Sequence, residues 1–384
     1  MRRVAVIGVG STKFGKHDRT SAELFAAAAA DAIADADIAP DRIQALYYGN
    51  VTGGEGERQL HMGPLAATVL GLPAIPTTRF ETACATSHAA FRHAVMEIKS
   101  GVSDIVLVGG GERVLNVPTD EATEYFAYCS EAAYEQSLGL TFPGVFALIA
   151  RAHMDRHGTT ETQMAQVAVK NHRHGALNPK AQFQKEITLE AVLRSPYVAD
   201  PLKLYDCCPF TDGGAAVVLA AEDVAKRCRR AIWVLSTAAA SDTMFLHEKG
   251  DLSRVAATER AAREAYRLAG KTPADVSVAE LHDCFTIAEI VATEGLGFFE
   301  PGVGGLAAEK GWTSLGGKIP VNPSGGLKAK GHPIGATGAA QIGEIVTQLR
   351  GEADRRQVDG ASVGLVHTLG GNTATVLVSL FGRD

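Results

Sequence analysis

Short apolar runs alternate along the chain with longer Ala-rich stretches, a rhythm that predicts layered α/β structure. Val4 to Val9 reads as a buried strand, and Ser21 to Ala36 as a helix that Thr20 or Ser21 would cap. Ala45 to Tyr48 is a short strand, followed by a Gly-rich loop from Gly49 to Gly56. Ala85 to Lys99 is a second helix and Ile105 to Val108 a central strand. From about 117 to 205 the rhythm fails. Aromatics, prolines and polar residues mix there, with helical pieces such as Thr160 to Asn171, as expected of a long insertion folded over the main body. The alternation returns at Ala215 to Ala220 and Ile232 to Ser236, and a helix is expected over Ser253 to Ala269, with Gly270 just past its end. Ala361 to Gly382 carries no charge, but His367 to Thr373 breaks it, so it reads as two buried strands and a turn rather than a membrane span.

Two internal correspondences suggest duplication. Ala85 to Lys99 lines up with Ala336 to Arg350 at a fixed offset of 251, and Leu107-Val108-Gly109-Gly110 resembles Thr368-Leu369-Gly370-Gly371. Each half would then carry a loop, a helix, a strand and a Gly-Gly turn. The length of 384 residues, beyond what one core usually organises, agrees with two units. They are expected at 1–220, with the insertion at about 117–205, and at 221–384.

A hydrophobic content of 46% excludes a disordered chain, and a formal charge of -6 argues against a nucleic-acid partner. It leaves room for a small anionic ligand. The opening run Val4 to Gly8 is too short for a signal-peptide core, and six cysteines in this length form no dense disulfide framework. A cytoplasmic protein with free thiols and no membrane association is expected.

Four windows carry chemistry. In Glu81-Thr82-Ala83-Cys84-Ala85-Thr86-Ser87, Cys84 stands where a helix starts, among small neighbours. A helix N-terminus lowers a thiol's pKa and offers N–H groups to an oxyanion, although a cysteine there also packs as a small hydrophobe. In His282-Asp283-Cys284-Phe285, His and Cys two apart would share a strand face or straddle a turn, for proton exchange or as a buried pair. A metal site is disfavoured, because no second Cys/His pair has ligand spacing. Asn322 to Gly338 holds Ser324, Gly325, Gly326 and His332 in a glycine-rich loop leading into a helix, where Lys328 and Lys330 either meet an anion or are solvated. It lacks the Gly-Lys-Ser/Thr ending of a phosphate loop. In His367-Thr368-Leu369-Gly370-Gly371, a glycine N–H either donates to an oxyanion or ends a strand. Cysteines, histidines and glycine turns at element ends suit acyl transfer through a thiolate, and no Gly-x-Ser-x-Gly elbow is present for a serine hydrolase.

These residues resemble the thiolase superfamily over nearly the whole chain. The resemblance rests on Val4-Ala5-Val6-Ile7-Gly8, the Cys84 window, His282-Asp283-Cys284-Phe285 and, most specifically, Gly331-His332-Pro333-Ile334-Gly335-Ala336-Thr337-Gly338. The His-Asp-Cys-Phe window, Lys170 to Pro179 and Asp206-Cys207-Cys208-Pro209 are similar to the archaeal acetoacetyl-CoA and sterol-carrier-protein-type branch, whose members are often called lipid-transfer proteins. The resemblance implies the thiolase fold, two similar layered α/β halves with a loop domain inserted in the first. It implies an acyl-CoA C-acyltransferase that cleaves a 3-oxoacyl-CoA with CoA, or runs the reverse condensation, with CoA as substrate and neither cofactor nor metal. Cys84 would be acylated; His332 would activate it and, with His282, hold the thioester oxygen; Gly370 and Cys84 N–H groups would form a second oxyanion hole. Ser324, Gly325 and Gly326 would contact the CoA ester. Homodimers or tetramers and a small zinc-ribbon/OB-fold partner are also implied.

One departure matters. Thr368 stands where most thiolases have an acid/base cysteine, and in this branch the Cys of His-Asp-Cys-Phe, here Cys284, takes that role. A thiol titrates near 8.5 and can move an α-proton, which a hydroxyl cannot. The alternatives are a retro-aldolase acting on a branched steroid side-chain CoA ester, against which the joint presence of Cys84 and Cys284 weighs, and a non-catalytic lipid- or acyl-CoA-binding subunit.

Overall fold

The computed structural model describes residues 2–383. Nine strands form one sheet: β1 (Val4–Ser11), β2 (Ala45–Gly49), β3 (Thr77–Phe80), β4 (Ile105–Glu112), β7 (Gly213–Ala221), β8 (Ile232–Ser241), β9 (Val278–Glu280), β10 (Val363–Gly370) and β11 (Thr375–Gly382). Between them, β5 (Tyr197–Ala199) and β6 (Leu202–Lys203) make a small separate hairpin. The sheet order is β3-β2-β4-β7-β1-β8-β11-β10-β9. It reads as the same unit twice. In the first, β2 and β4 run parallel, β7 returns antiparallel to β4, and β1 pairs antiparallel with β7. In the second, β9 and β10 run parallel, β11 returns antiparallel to β10, and β8 pairs antiparallel with β11. Val321, bridged in parallel to Ala279 of β9, occupies the place that β3 holds beside β2. The two units meet where β1 and β8 pair at Ala5–Trp233 and Val6–Ile232.

The paired helices of the duplicated pattern lie together at the centre. Helix Thr86–Ser100 and helix Thr337–Arg350 contribute Phe91, Val95 and Ile98, and Ile342, Ile345 and Leu349, to one core with Val217, Leu219, Val366 and Phe381 of the sheet. They cross closely enough that a Cβ on Gly338 would sit 2.6 Å from the His88 nitrogen, so only glycine fits. On the outer faces, helix Ser21–Asp35 covers the first unit and helix Ala256–Ala269 the second, each over its own apolar cluster. Thr20 caps the former in a reciprocal box with Glu23. The expected start of the latter, Ser253, lies one turn too early, because the helix begins after Val255 in extended conformation.

The irregular stretch is a helical layer. It holds helices Thr119–Ala127, Phe142–His157, Glu161–Gly175 and Leu189–Arg194 and the small hairpin, and Phe146, Ile149, Met164 and Val167 of the middle two helices join the core of the second unit. The end of the Gly-rich loop after β2 is a single helical turn, Gly53–Gly56. At the C-terminus the uncharged stretch forms the antiparallel pair β10–β11, registered from Val363–Gly382 to Gly370–Thr375. No helix of the described residues is long and apolar enough to cross a membrane.

Candidate active site

The chain leaves β3, turns through Thr82 to Ala85 and enters helix Thr86–Ser100. Ala83 has φ +50, a left-handed conformation that a residue with a Cβ adopts only when its surroundings hold it there. The Glu81 carboxylate accepts the Ala83 N–H at 2.5 Å, and the Thr86 hydroxyl donates to the Ala83 carbonyl while accepting the Thr82 N–H at 2.9 Å. This turn sets Cys84 on the wall of a cavity of about 340 Å³ that opens past the exposed Val198 and Leu204. Burial pushes the thiol well above the usual cysteine range, outweighing the Gly371 N–H that faces the sulfur and lowers it. Burial thus opposes the lowering that the helix start was expected to give.

A ring nitrogen of His332 lies within 4.8 Å of the Cys84 sulfur. The residue comes from the second unit, on the loop before helix Thr337–Arg350. Its N–H donates to Thr211 Oγ1 at 3.0 Å, and its Nδ1 lies 2.7 Å from Thr337 Oγ1. The Thr337 hydroxyl donates to the Pro333 carbonyl, so toward His332 it acts as acceptor and fixes the proton on Nδ1. Nε2 is buried, has no partner among the described residues, and faces the cavity as a free lone pair. Burial and Lys330 push His332 down to about 3, so the imidazole is neutral. Neither nitrogen of fully buried His282 has a partner among the described residues, and its ring meets His332 edge-on at 5.0 Å. The donor atoms of Cys84, His282 and His332 all lie within 4.8 Å of one another, a spacing a metal ion would also accept.

Cys284 lines the same cavity, its thiol pushed well up by burial and then by Cys208, Cys84 and Asp283. It sits just before helix Thr286–Gly295, and its carbonyl accepts the Cys208 N–H at 2.9 Å. Thr368 is engaged elsewhere: its hydroxyl pairs with His88 Nδ1 at 2.9 Å, and His88 Nε2 with Ser379 Oγ at 2.7 Å. Gly370 fits where nothing larger does, since a Cβ there would lie 2.3 Å from the Thr82 carbonyl. It is Gly371, one residue on, whose N–H faces the sulfur of Cys84.

Ser324, Gly325 and Gly326 lie off the cavity wall. Ser324 is fully buried, and both its N–H and its hydroxyl donate to the Glu280 carboxylate. A Cβ on Gly325 (φ +101) would meet the Gly175 Cα at 2.7 Å, and one on Gly326 would meet the Asp283 carboxylate at 2.2 Å. Beside them Asp283 accepts the Leu327 and Lys328 N–H groups, which braces the strip that carries His282 and Cys284. Nor are the loop lysines solvated. Lys328 donates to the Cys207 carbonyl, and Lys330 pairs with Glu280 at 3.3 Å.

Several participants escaped the sequence reading. Cys207 and Cys208 pack against the second unit's core and also line the cavity with Cys84, Cys129 and Cys284. Thr337, whose signal was its place five residues after His332 at a helix start, sets the histidine's tautomer. Buried Glu112 accepts the N–H groups of Val51, Thr52 and Gly335, tying the first unit to the His332 loop. That loop approaches so closely that a Cβ on Gly110 would fall 2.0 Å from the Gly335 carbonyl.

A duplicated α/β unit that joins a cysteine from its first copy to a histidine from its second is the arrangement of the thiolases, and the chain belongs to that family. Residues 4–223 match the thiolase N-terminal domain and 238–383 the thiolase C-terminal domain-like family. Among relatives, an acetyl-CoA acetyltransferase of Methanothermobacter thermautotrophicus is 46% identical over all of both chains. Human sterol carrier protein 2 is 36% identical, over 98% of this chain and 71% of that protein. The benzoylsuccinyl-CoA thiolase subunit BbsB of Thauera aromatica is 35% identical over 96% of this chain and 95% of its own. A solved Ltp2-ChsH2(DUF35) aldolase superposes with a TM-score of 0.83 at 26% identity, covering 100% of this chain and 98% of that one.

Proposed function

We propose that Cys84 carries the acyl group in a CoA-dependent cleavage of 3-oxoacyl-CoA. The protein is a thiolase-type acyl-CoA C-acyltransferase. The observation that carries the assignment of roles is the meeting of the Cys84 sulfur with two neutral histidines, His332 with its Nε2 free and His282 with neither nitrogen partnered among the described residues, with Cys284 on the same cavity.

His332 Nε2 takes the Cys84 proton as sulfur attacks the 3-oxo carbon. The oxygen becomes an oxyanion facing backbone N–H groups of the Cys84 turn and the Gly370–Gly371 turn. The C2–C3 bond breaks, leaving acyl-Cys84 and the enolate of the shortened thioester. The enolate oxygen lies against His332, now protonated on Nε2, and a ring N–H of His282. Cys284 gives its thiol proton to the enolate carbon, and its thiolate then removes the proton from incoming CoA. The CoA sulfur takes the acyl group, and the leaving Cys84 sulfur recovers its proton from His332. Run backwards, Cys284 is the base that forms the enolate. The aldolase alternative needs no nucleophilic cysteine; the Cys84–His332 geometry supports the transferase.

The test is mass spectrometry of peptides after incubation with acetyl-CoA. An acetyl group on the Cys84 peptide is expected, and a stable adduct on Cys284 alone would sink the assignment. CoA-dependent loss of a 3-oxoacyl-CoA should accompany it.

The same reading divides the chain near residue 220, supported by family matches that stop at 223 and resume at 238. It places the enzyme in the cytoplasm as a homodimer or tetramer. A small zinc-ribbon/OB-fold partner is part of the proposal, supported by an aldolase neighbour whose name pairs Ltp2 with ChsH2(DUF35) and by BbsB being a subunit.

A further inference from the structure

We infer that Cys84, His282 and His332 form a site for Zn²⁺, which ties up the reacting sulfur and holds the enzyme reversibly inactive. Binding of the ion stands on the geometry of the three side chains. Its effect on turnover rests on the roles proposed above for Cys84 and His332.

One thiol and two imidazoles are a donor set that suits Zn²⁺ and Co²⁺. No carboxylate joins them among the described residues, which disfavours Mg²⁺ and Ca²⁺. The carboxylate between His282 and Cys284, that of Asp283, is consumed by the Leu327 and Lys328 N–H groups and by the Asn171 amide at 2.7 Å. The sulfur and the nitrogens lie within 4.8 Å of one another. Around zinc, bonds of about 2.0–2.3 Å at tetrahedral angles hold such atoms roughly 3.3–3.6 Å apart, so the three side chains close in by at most about 1.5 Å. The lone pairs are unused. Fully buried His282 has no partner on either nitrogen among the described residues, and buried His332 has none on Nε2. A buried polar nitrogen left unsatisfied costs free energy that a bound cation recovers. His332 is also held as a metal-ligating histidine commonly is: its Nδ1 donates to Thr337 Oγ1, which fixes tautomer and ring and leaves Nε2 to bind. On the other side, the Leu281 N–H donates to Asn322 Oδ1 at 2.8 Å and, with the contacts of Asp283, anchors the backbone on both sides of His282. Three protein ligands leave a fourth tetrahedral position, and the cavity, open past Val198 and Leu204, admits the ion and a water to fill it. As the zinc–sulfur bond forms, the Cys84 thiol gives its proton to solvent, and no electron moves. Zinc and an acyl group then compete for one sulfur.

The experiment measures binding apart from chemistry. Untagged full-length protein is cleared of metal with a chelator and dialysed against zinc chloride, and bound metal is counted. Cys84→Ser, which exchanges one atom, and His282→Asn should each weaken the strongest site by at least about 10–100-fold, the loss that removal of a mere supporting residue brings at other metal sites. Cys129→Ala and Cys208→Ala, which alter other thiols of the same cavity, should leave it unchanged. Cobalt chloride in place of zinc should give a thiolate-to-cobalt charge-transfer band that Cys84→Ser abolishes. Turnover of the parent should fall in proportion to the zinc bound and return when the chelator is added. Zinc uptake indifferent to both Cys84→Ser and His282→Asn, cobalt without the charge-transfer band, or turnover that requires zinc would each overturn the inference. Zinc held by the three side chains with turnover undiminished would leave the site standing and overturn the roles given to Cys84 and His332.

Discussion

Thr337→Val is the sharpest test of how the nucleophile is made. The hydroxyl of Thr337 donates to the Pro333 carbonyl and accepts from His332, which keeps the imidazole proton on Nδ1 and the Nε2 lone pair toward Cys84. Valine keeps the shape and removes the acceptor. A buried N–H left unpaired costs about 1–3 kcal/mol. That cost falls on the reactive tautomer, while the other can donate from Nε2 toward the sulfur. With about 1.4 kcal/mol per factor of ten, acylation should slow by roughly 10- to 100-fold. The assay is rapid-quench mass spectrometry of Cys84 acetylation by acetyl-CoA, run beside overall turnover and a thermal melt. Thr337→Ser, which keeps the acceptor, should restore most of the rate, which a purely structural role for the methyl group would not produce. A Thr337→Val enzyme that acylates within about twofold of the parent would refute the tautomer argument.

Other expectations follow from the same geometry. Cys284→Ala should cost ~10²–10⁴ in turnover while Cys84 still acetylates, whereas Thr368→Ala, whose hydroxyl serves His88, should be mild; the reverse pattern would move the acid/base role. His332 is held down to about 3 and Cys84 well above its usual range, so neither changes protonation at intermediate pH. Acylation kcat/KM should then be level from about pH 5 to 8 and fall only as acid charges His332, so an inflection near the ordinary histidine value of about 6.5 would contradict it. Gly370→Ala puts a Cβ 2.3 Å from the Thr82 carbonyl; a loss of about 1–3 kcal/mol in denaturant unfolding and slower acylation are expected, and an unchanged midpoint would count against the packing. Dialysis against a chelator should leave turnover unchanged, and activity lost there and restored by zinc would give the Cys84–His282–His332 trio a metal role.

The fold was legible where burial is governed by periodicity. The offset between Ala85 and Ala336 marked the two central helices, and the break at His367 to Thr373 marked the hairpin of β10 and β11. The helical layer between 117 and 205 was legible only in part: the piece expected at Thr160 to Asn171 is the helix Glu161–Gly175 capped by Thr160, whereas Pro143 and Gly144 in the first turn of Phe142–His157 hid that helix. At the site, Cys84, His282, Cys284 and His332 line one cavity. What the sequence hid at the site is the environment of each group. Glycine and lysine in Ser324 to Lys330 look like ligand-binding residues in a linear sequence, yet Glu280, Asp283 and the Cys207 carbonyl, distant along the chain, consume them. The thiol's pKa was misjudged for a similar reason, since a helix start is visible in sequence and the dryness of its surroundings is not.

The cysteine and its base belong to opposite copies of the duplicated unit, and that has a consequence during biosynthesis. Cys84 leaves the ribosome long before His332 exists, and domains fold largely in order of emergence. Until the Gly335 loop seats against Gly110 and Glu112, the His332 of the proposed reaction stands apart from the sulfur. The nascent first half thus carries a solvated thiol, titrating near the ordinary value of about 8.5 and open to oxidants and electrophiles. Docking of the second half dries its surroundings and raises it, so the completed chain shelters by burial a cysteine that an incomplete one leaves exposed.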